Sequence, residues 1–437
     1  MRKKIVRKGV IFARRTIIWK RIVILRTRSK IKIKMLKRLH YLQLSEMYEA
    51  WIVDSGSTSN MTNNKSHFQE LKKSHIQIDV AKSKETMQAE SIGSLEFNAV
   101  EQRLRIILTE GPKSIMDFED MKPELPPFYD EKKFRLGQQA FYNNVFSMMI
   151  AKLCGLVSLL AISTILDVIM FTKKSSTPCL AYRRYAETVL HTVVWHEKDP
   201  KGKPNEFLES LKIVRRKHCI AFKKSTEAGV HKPTQLDMAL AQFGFIGYSL
   251  VSEEYMGIKA TPEEMEGVVH LWRVVGSMLG MDDKFNLCSG TVEESRALCQ
   301  RLLEDVFVPS LANRNEHFNQ MGTVMMESLW PLCFSIEPLA FTAFTLHLAS
   351  STARNNNHFI KIDFSNLPFY SWYLFNLQHF VLKYLMRPSA WWSSFFRAFF
   401  NGLIRYSIYF LKNFSYLAYW KFGKKYARIK IFHHRFD

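Results

Sequence analysis

The chain of 437 residues is longer than an average domain and 47% hydrophobic, so it can form a sizeable core and should contain at least two segments. Its formal net charge is +22, but sixteen of its Lys and Arg lie in residues 1–39, which contain no Asp or Glu. The six cysteines include no C-x-x-C pair, which excludes a small disulfide-stapled fold and a zinc site of the usual spacing.

The basic leader, residues 1–49, is expected to be disordered or helical. Charges interrupt its apolar stretches, so it has no signal-peptide core of the standard kind. Such a leader is able to bind anionic lipid or nucleic acid through phosphate contacts, and an ordinary solvated extension has the same composition. Since the charge is mostly confined to this tail, we do not expect a nucleic-acid partner.

Residues 50–110 have a strand-like composition and include the run W-I-V-D-S-G-S-T-S-N-M-T at 51–62. This run resembles the start of the aspartic-protease segment of copia-type retrotransposon polyproteins. The resemblance implies that Asp54 matches the catalytic aspartate, and that two subunits would each supply one carboxylate. Asn60 stands where these elements usually carry His, and the segment ends before a whole protease domain is complete. We therefore expect a truncated β segment, with an active protease as an alternative.

The third zone, residues 117–350, has the apolar periodicity of packed helices. Thr261 with Glu264, and Thr291 with Glu294, have the spacing of capping boxes, in which a hydroxyl and a carboxylate satisfy free backbone N–H groups. A buried helix face is predicted after the first box; it comprises Met265, Val268, Val269, Trp272, Val275, Met278 and Leu279. The apolar stretch 145–171 contains charged residues, which favours a buried bundle helix over a membrane span.

Two predicted helices carry polar groups among apolar residues. On the helix of 179–195, one stripe comprises Arg184, Glu187, Thr188, His191 and Trp195. On the helix of 211–222, His218 lies in the middle of an apolar face, while Arg216 and Lys217 are predicted to face elsewhere. From spacing alone, a charged stripe is usually a solvated surface, and a lone histidine is more often a core residue than a metal ligand.

The order of the motifs adds a family resemblance. R-x-x-[KE]-T is followed about thirty residues later by V-R-x-x-H, then by the runs T-Q-L-D-M-A-L-A-Q-F-G-F at 234–245 and W-R-V-V-G-S-M-L-G at 272–280. This order resembles the catalytic domain shared by latex-clearing rubber oxygenases and the ER-bound oxygenase mpaB family, over about residues 117–350. The resemblance implies a mainly α fold, a multi-helix bundle of the haem-oxygenase kind with a small N-terminal β segment.

The same resemblance implies a site. His218 would be the proximal ligand of a b-type haem iron, and Arg184, Glu187 and Thr188 would line the distal side. Arg215 either binds a haem propionate or forms a helix-stabilising ion pair. The rubber oxygenases carry Lys where this chain has Glu187, so oxidative cleavage of C=C bonds does not follow. Asp167 is a weak candidate for their upstream catalytic carboxylate.

The C-terminal region, residues 365–437, is aromatic and basic. Arg397, Arg405 and Lys412 recur about two helical turns apart among Phe, Tyr and Trp. This pattern favours a helix at a bilayer interface, with rings in the lipid and cations at the head groups, although a helix that closes the bundle is the alternative. We expect a membrane-associated protein, and the resemblance indicates the endoplasmic reticulum.

Three functional hypotheses follow from the sequence. The leading hypothesis is a haem-dependent oxidoreductase that acts with dioxygen on a lipophilic, isoprenoid-like substrate at a membrane. The second is a non-catalytic helical membrane protein that has lost its haem. The third is an aspartic-protease-like transposon remnant centred on Asp54.

Overall fold

The computed structural model describes residues 51–52, 61–62, 99–117, 124–333, 335–354 and 360–432. The chain divides into two compact units, Met1–Leu95 and Glu96–Asp437. In the first unit, strands β1 (Trp51–Ile52) and β2 (Met61–Thr62) pair in antiparallel fashion. The leader and Asp54 lie outside the described residues.

The described part of the second unit is mainly helical, as predicted. Residues 99–109 form α1. The further helices are α2 (Glu131–Asn143), α3 (Val145–Leu159), α4 (Ser163–Phe171), α5 (Pro178–Glu197), α6 (Glu206–Glu227), α7 (Gln235–Val251), α8 (Pro262–Met278), α9 (Val292–Leu302), α10 (Val308–Ala312), α11 (Glu316–Leu329), α12 (Pro338–Thr352), α13 (Phe369–Phe380), α14 (Ser393–Asn413), α15 (Tyr416–Phe422) and α16 (Lys424–Ala427).

Helix α1 corrects one predicted boundary, because the β segment predicted over residues 50–110 does not extend to its predicted end. Val100, Leu104 and Ile107 are buried and lie three or four residues apart, which is the period of a helix rather than of a strand. This part of the chain belongs to the second unit, which begins at Glu96.

Two close helix pairs organise the core of this unit, α2 with α8 and α3 with α7. Gly137 faces Gly267 in the first pair, and Gly155 faces Gly244 in the second. A Cβ on Gly155 would lie 2.1 Å from the carbonyl oxygen of Gly244, so the two backbones are closer than a side chain permits. These crossings fix the positions of four helices, three of which, α3, α7 and α8, line the cavity described below.

The apolar stretch 145–171 forms two helices, α3 and α4, rather than one. Helix α3 is mostly buried, including Lys152, in agreement with the predicted bundle helix. Among the described residues, no single helix is both long and apolar enough to cross a bilayer. Helices α2 and α3 meet those criteria only as a pair, and the pair is bent by 92°.

Helix α14 has the opposite orientation to the one predicted from its basic residues. Arg397 is buried and donates a hydrogen bond to Asn144 Oδ1 at 2.9 Å, and Arg405 donates to the carbonyl oxygen of Tyr142 at 2.6 Å. Lys412 pairs with Glu197 at 2.8 Å. The prediction that these cations reach lipid head groups is therefore wrong for the buried Arg397, and Arg405 and Lys412 have partners on the bundle. They attach α14 to the bundle, as the alternative interpretation had it.

Candidate functional site

A cavity of about 640 Å³ lies between helices α3 to α8. Its volume falls within the usual range of small-molecule sites. Its wall is mostly apolar and includes Leu156, Ile165, Val214, Phe222, Phe245 and Val275. All five members of the polar stripe predicted on α5 also line it, as does His218. The two helices singled out in the sequence therefore contribute to one site.

Local sequence explains how α5 and α6 present these side chains. Pro178 occupies the first turn of α5, where its missing N–H costs nothing, and the side chain of Asn205 caps α6 by accepting a hydrogen bond from Leu208 N at 2.9 Å. The two helices pack against each other. Residues three or four apart on each helix share a face, so the stripe of α5 and the apolar face around His218 meet at the cavity.

His218 is half-buried and lines the cavity. Its Nδ1 atom is fully buried and has no hydrogen-bond partner among the described residues. The ring stacks on Phe222, with a centroid distance of 5.6 Å. Burial, reinforced by the positive charges of Arg184, Arg215 and Lys217, lowers the pKa of His218 to about 4. The imidazole is therefore neutral at physiological pH, which is the form that binds metals.

His191 lies on the same wall and is buried. Its Nδ1 lies 2.8 Å from Ser210 Oγ, which also accepts a hydrogen bond from Trp195 Nε1 at 2.9 Å. Its Nε2 is buried and has no partner in the described part of the chain. Burial, with Lys217 and His218 nearby, lowers the pKa of His191 to about 3. The site thus holds two neutral imidazoles.

A charged group forms one part of the wall. Glu187 accepts a hydrogen bond from Lys217 Nζ at 2.8 Å and pairs with Arg183 Nε at 3.5 Å. Arg184 donates to Ser175 Oγ at 3.2 Å, and its backbone carbonyl accepts the Thr188 hydroxyl at 3.0 Å. The prediction that Lys217 faces away from this region is wrong. Its flexible stem turns toward Glu187 on the neighbouring helix, a contact that local spacing does not reveal.

A second polar cluster at the cavity was not recognised in the sequence. Asp237 Oδ2 lies 2.7 Å from His231 Nε2, and Oδ1 accepts the Thr164 hydroxyl at 2.8 Å. Asp237 also completes the capping box of α7 with Thr234. The T-x-x-D spacing was a usable signal for this helix start. The contacts to Thr164 and His231 depend on the fold.

Two other candidate residues do not face the cavity. Arg215 is buried outside the lining, donates to Asp117 Oδ2 at 3.3 Å and packs against the backbone of Gly280. Of its two predicted roles, the structure therefore shows an ion pair, although with a residue outside its own helix. Asp167 is exposed and is not part of the lining, which removes it as a candidate for the catalytic carboxylate.

Comparison with known proteins gave two similarities. Residues 51–110 match a sequence family described as "Pol polyprotein, beta-barrel domain". A solved structure described as "Structure of Latex Clearing Protein LCP in the closed state" is similar over 66% of this chain and 76% of that chain, with 14% sequence identity and a TM-score of 0.38. No curated protein matches. Both resemblances noted in the sequence thus have a counterpart, but so loose a superposition says nothing about individual site residues.

Proposed function

We propose that the helical unit binds a b-type haem through His218 and is an oxygenase-like oxidoreductase that acts with dioxygen on a lipophilic substrate. One observation carries the proposal. A neutral imidazole lies on the wall of a mostly apolar cavity of about 640 Å³, and its Nδ1 atom has no hydrogen-bond partner among the described residues. Coordination of an iron would give one ring nitrogen a partner of the kind that buried polar groups normally have.

The remaining wall fits the other parts of a haem. Apolar side chains of α3, α4, α7 and α8 suit the faces of a porphyrin. Lys174 is suited to hold a carboxylate group at the charged part of the wall. Arg215, which the resemblance had offered for a propionate, lies elsewhere. The residues of the cavity wall therefore fit a haem, with a cation other than Arg215 at the propionates.

When bound, the haem would supply the binding and activation of dioxygen. The chain's own residues would control its surroundings. Thr188 gives its hydroxyl proton to a backbone carbonyl, so its oxygen remains a hydrogen-bond acceptor, while Arg184 remains a donor. Glu187 is held between Lys217 and Arg183, which makes it an ion-pair partner rather than a free acid. The apolar walls would exclude water and admit a hydrocarbon chain, such as an isoprenoid.

One feature distinguishes this site from common haem sites. Metal-bound histidines almost always donate their second ring N–H to an acceptor, and His218 Nδ1 has none among the described residues. His191 Nδ1 does lie within hydrogen-bond distance of Ser210 Oγ. An experiment must therefore test both imidazoles separately.

The test is the absorption spectrum of protein produced with ample haem. We expect a Soret band in the intact protein, its loss in His218→Ala, and its partial recovery when imidazole is added to that variant. His317→Ala, which removes an exposed histidine outside the cavity, is the control and should keep the band. Protein that stays colourless would support the alternative of a non-catalytic protein without haem. A band lost in His191→Ala but kept in His218→Ala would overturn the assigned ligand.

A further inference from the structure

Helix α14 and the turn before it expose a stripe of large apolar side chains. We call this stripe the aromatic face; it comprises Trp391, Phe395, Phe399, Leu403, Tyr406 and Tyr409. Within α14 its members are three or four residues apart and so share one side of the helix. The other side is buried against the bundle. Trp391 is 87% exposed and Phe395 is 70% exposed, well beyond what scattered surface residues explain.

The surroundings of the aromatic face are basic. Residues 365–432 contain ten Lys and Arg and no Asp or Glu. Lys383 and Arg387 precede the face in the chain, Lys424 and Lys425 follow it, and all four side chains are exposed. Large exposed rings and exposed cations in one stretch of the chain are the composition of a surface that contacts both apolar and anionic groups.

We propose that the aromatic face docks on an anionic lipid surface. Its rings enter the boundary between head groups and acyl chains, and the flanking lysines contact lipid phosphates. Tyr and Trp favour that boundary because each ring is apolar at one end and polar at the other. Each Lys or Arg near an anionic bilayer adds about 1 kcal/mol of binding free energy.

The charge of the region favours an anionic lipid surface over a second copy of the chain as the binding partner. A symmetric dimer would place the same patch of both copies in contact. That contact would bring two sets of cations together without a carboxylate from residues 365–432 to neutralise them. An anionic bilayer has the opposite charge. The surface also differs from the sequence interpretation, since Arg397, Arg405 and Lys412 face the bundle and take no part in it.

Vesicle binding by the full chain tests the proposal, with phosphatidylcholine vesicles compared with vesicles that also contain phosphatidylserine. The triple variant Phe395→Ser, Phe399→Ser and Tyr406→Ser should bind the anionic vesicles at least about 100-fold more weakly. The double variant Lys424→Gln and Lys425→Gln should bind about 30-fold more weakly. As a control, Ile115→Ser with Leu339→Ser removes exposed apolar side chains elsewhere and should bind like the intact chain.

The basic leader would bind anionic vesicles by itself, so insertion of the aromatic face needs its own signal. Brominated acyl chains should quench the emission of Trp391, measured as the difference between the intact chain and Trp391→Phe. Absence of this quenching would overturn the proposal. Sedimentation that shows a dimer for the intact chain and a monomer for the triple variant would assign the face to a second copy instead.

Discussion

At the scale of single residues, the interior of the helical unit contains two buried bases whose charged forms are disfavoured. Burial lowers the pKa of Lys152 to about 7 and that of His196 to about 3, where the nearby charge of Lys152 contributes. His196 stacks on Phe141 with a centroid distance of 3.8 Å, and Lys152 lies against the rings of Phe141 and Phe245. Neither base forms an ion pair among the described residues, so burial disfavours the protonated form of each and no carboxylate offsets that effect. His196 is neutral at pH 7, whereas Lys152 is still partly protonated there.

This arrangement predicts a pH-dependent stability. Because the folded-state pKa of His196 lies below its unfolded value of about 6.5, only the unfolded chain takes up this proton as the pH falls from 6.5 toward 3. The contribution of the neutral His196 to the free energy of unfolding is therefore fully present above pH 6.5. It decreases by about 1.4 kcal/mol per pH unit as the pH falls below 6.5. The free energy of unfolding, measured with urea at several pH values between 6.5 and 4.5, should fall less steeply with falling pH in His196→Gln than in the intact chain. The exposed His317→Gln should keep the intact slope, and equal slopes for all three would contradict the assignment.

At the scale of helices, close approach depends on glycine pairs. Gly155 and Gly244 bring α3 and α7 into backbone contact, and these two helices form part of the cavity wall. Gly402 in α14 provides a contrast, since a Cβ built there meets no atom within 4 Å. A Gly→Ala substitution should therefore lower the stability at a glycine in a helix contact, such as Gly155, and raise it at an uncrowded glycine, such as Gly402.

Gly155→Ala should lower the free energy of unfolding by about 1–3 kcal/mol, because its methyl group overlaps the carbonyl of Gly244 and the helices must separate. Gly402→Ala should raise it by about 0.5–1 kcal/mol, because alanine loses less backbone entropy in a helix. Urea denaturation of both variants measures the difference. A neutral or stabilising Gly155→Ala would show that α3 and α7 are not in backbone contact.

What the sequence predicts is mostly what neighbouring residues determine. The capping boxes at Thr261 and Thr291 begin α8 and α9 as expected, since each box closes within four residues. The stripe of α5 was recognised for the same reason. Contacts between side chains of different helices cannot be recognised in this way, so the hydrogen bond from Lys217 to Glu187 was missed. In α14 both sides carry rings, and periodicity alone did not show which side faces the bundle.

At the scale of the whole molecule, the C-terminal helices belong to the same compact unit as the helices around the cavity. Helix α14 packs on α3 and α5, and α13 packs on α12. Arg397 connects distant parts of the chain, because it donates hydrogen bonds to Asn144 Oδ1, to the carbonyl of Gly257 and to the carbonyl of Met386. Residues 365–437, predicted as a separate region, are therefore not a detached membrane anchor in their described part.

Arg397→Ala consequently should destabilise the unit as a whole. The substitution leaves buried carbonyl oxygens without their charged donor, and we expect a loss of about 3 kcal/mol. Helical circular dichroism and tryptophan fluorescence should still report one shared transition, shifted to lower urea, because α14 and the cavity helices unfold together. Arg387→Ala, which removes an exposed arginine of the same region, should change stability by less than about 0.5 kcal/mol. An early partial transition in Arg397→Ala would instead mean that the C-terminal helices form an independent unit.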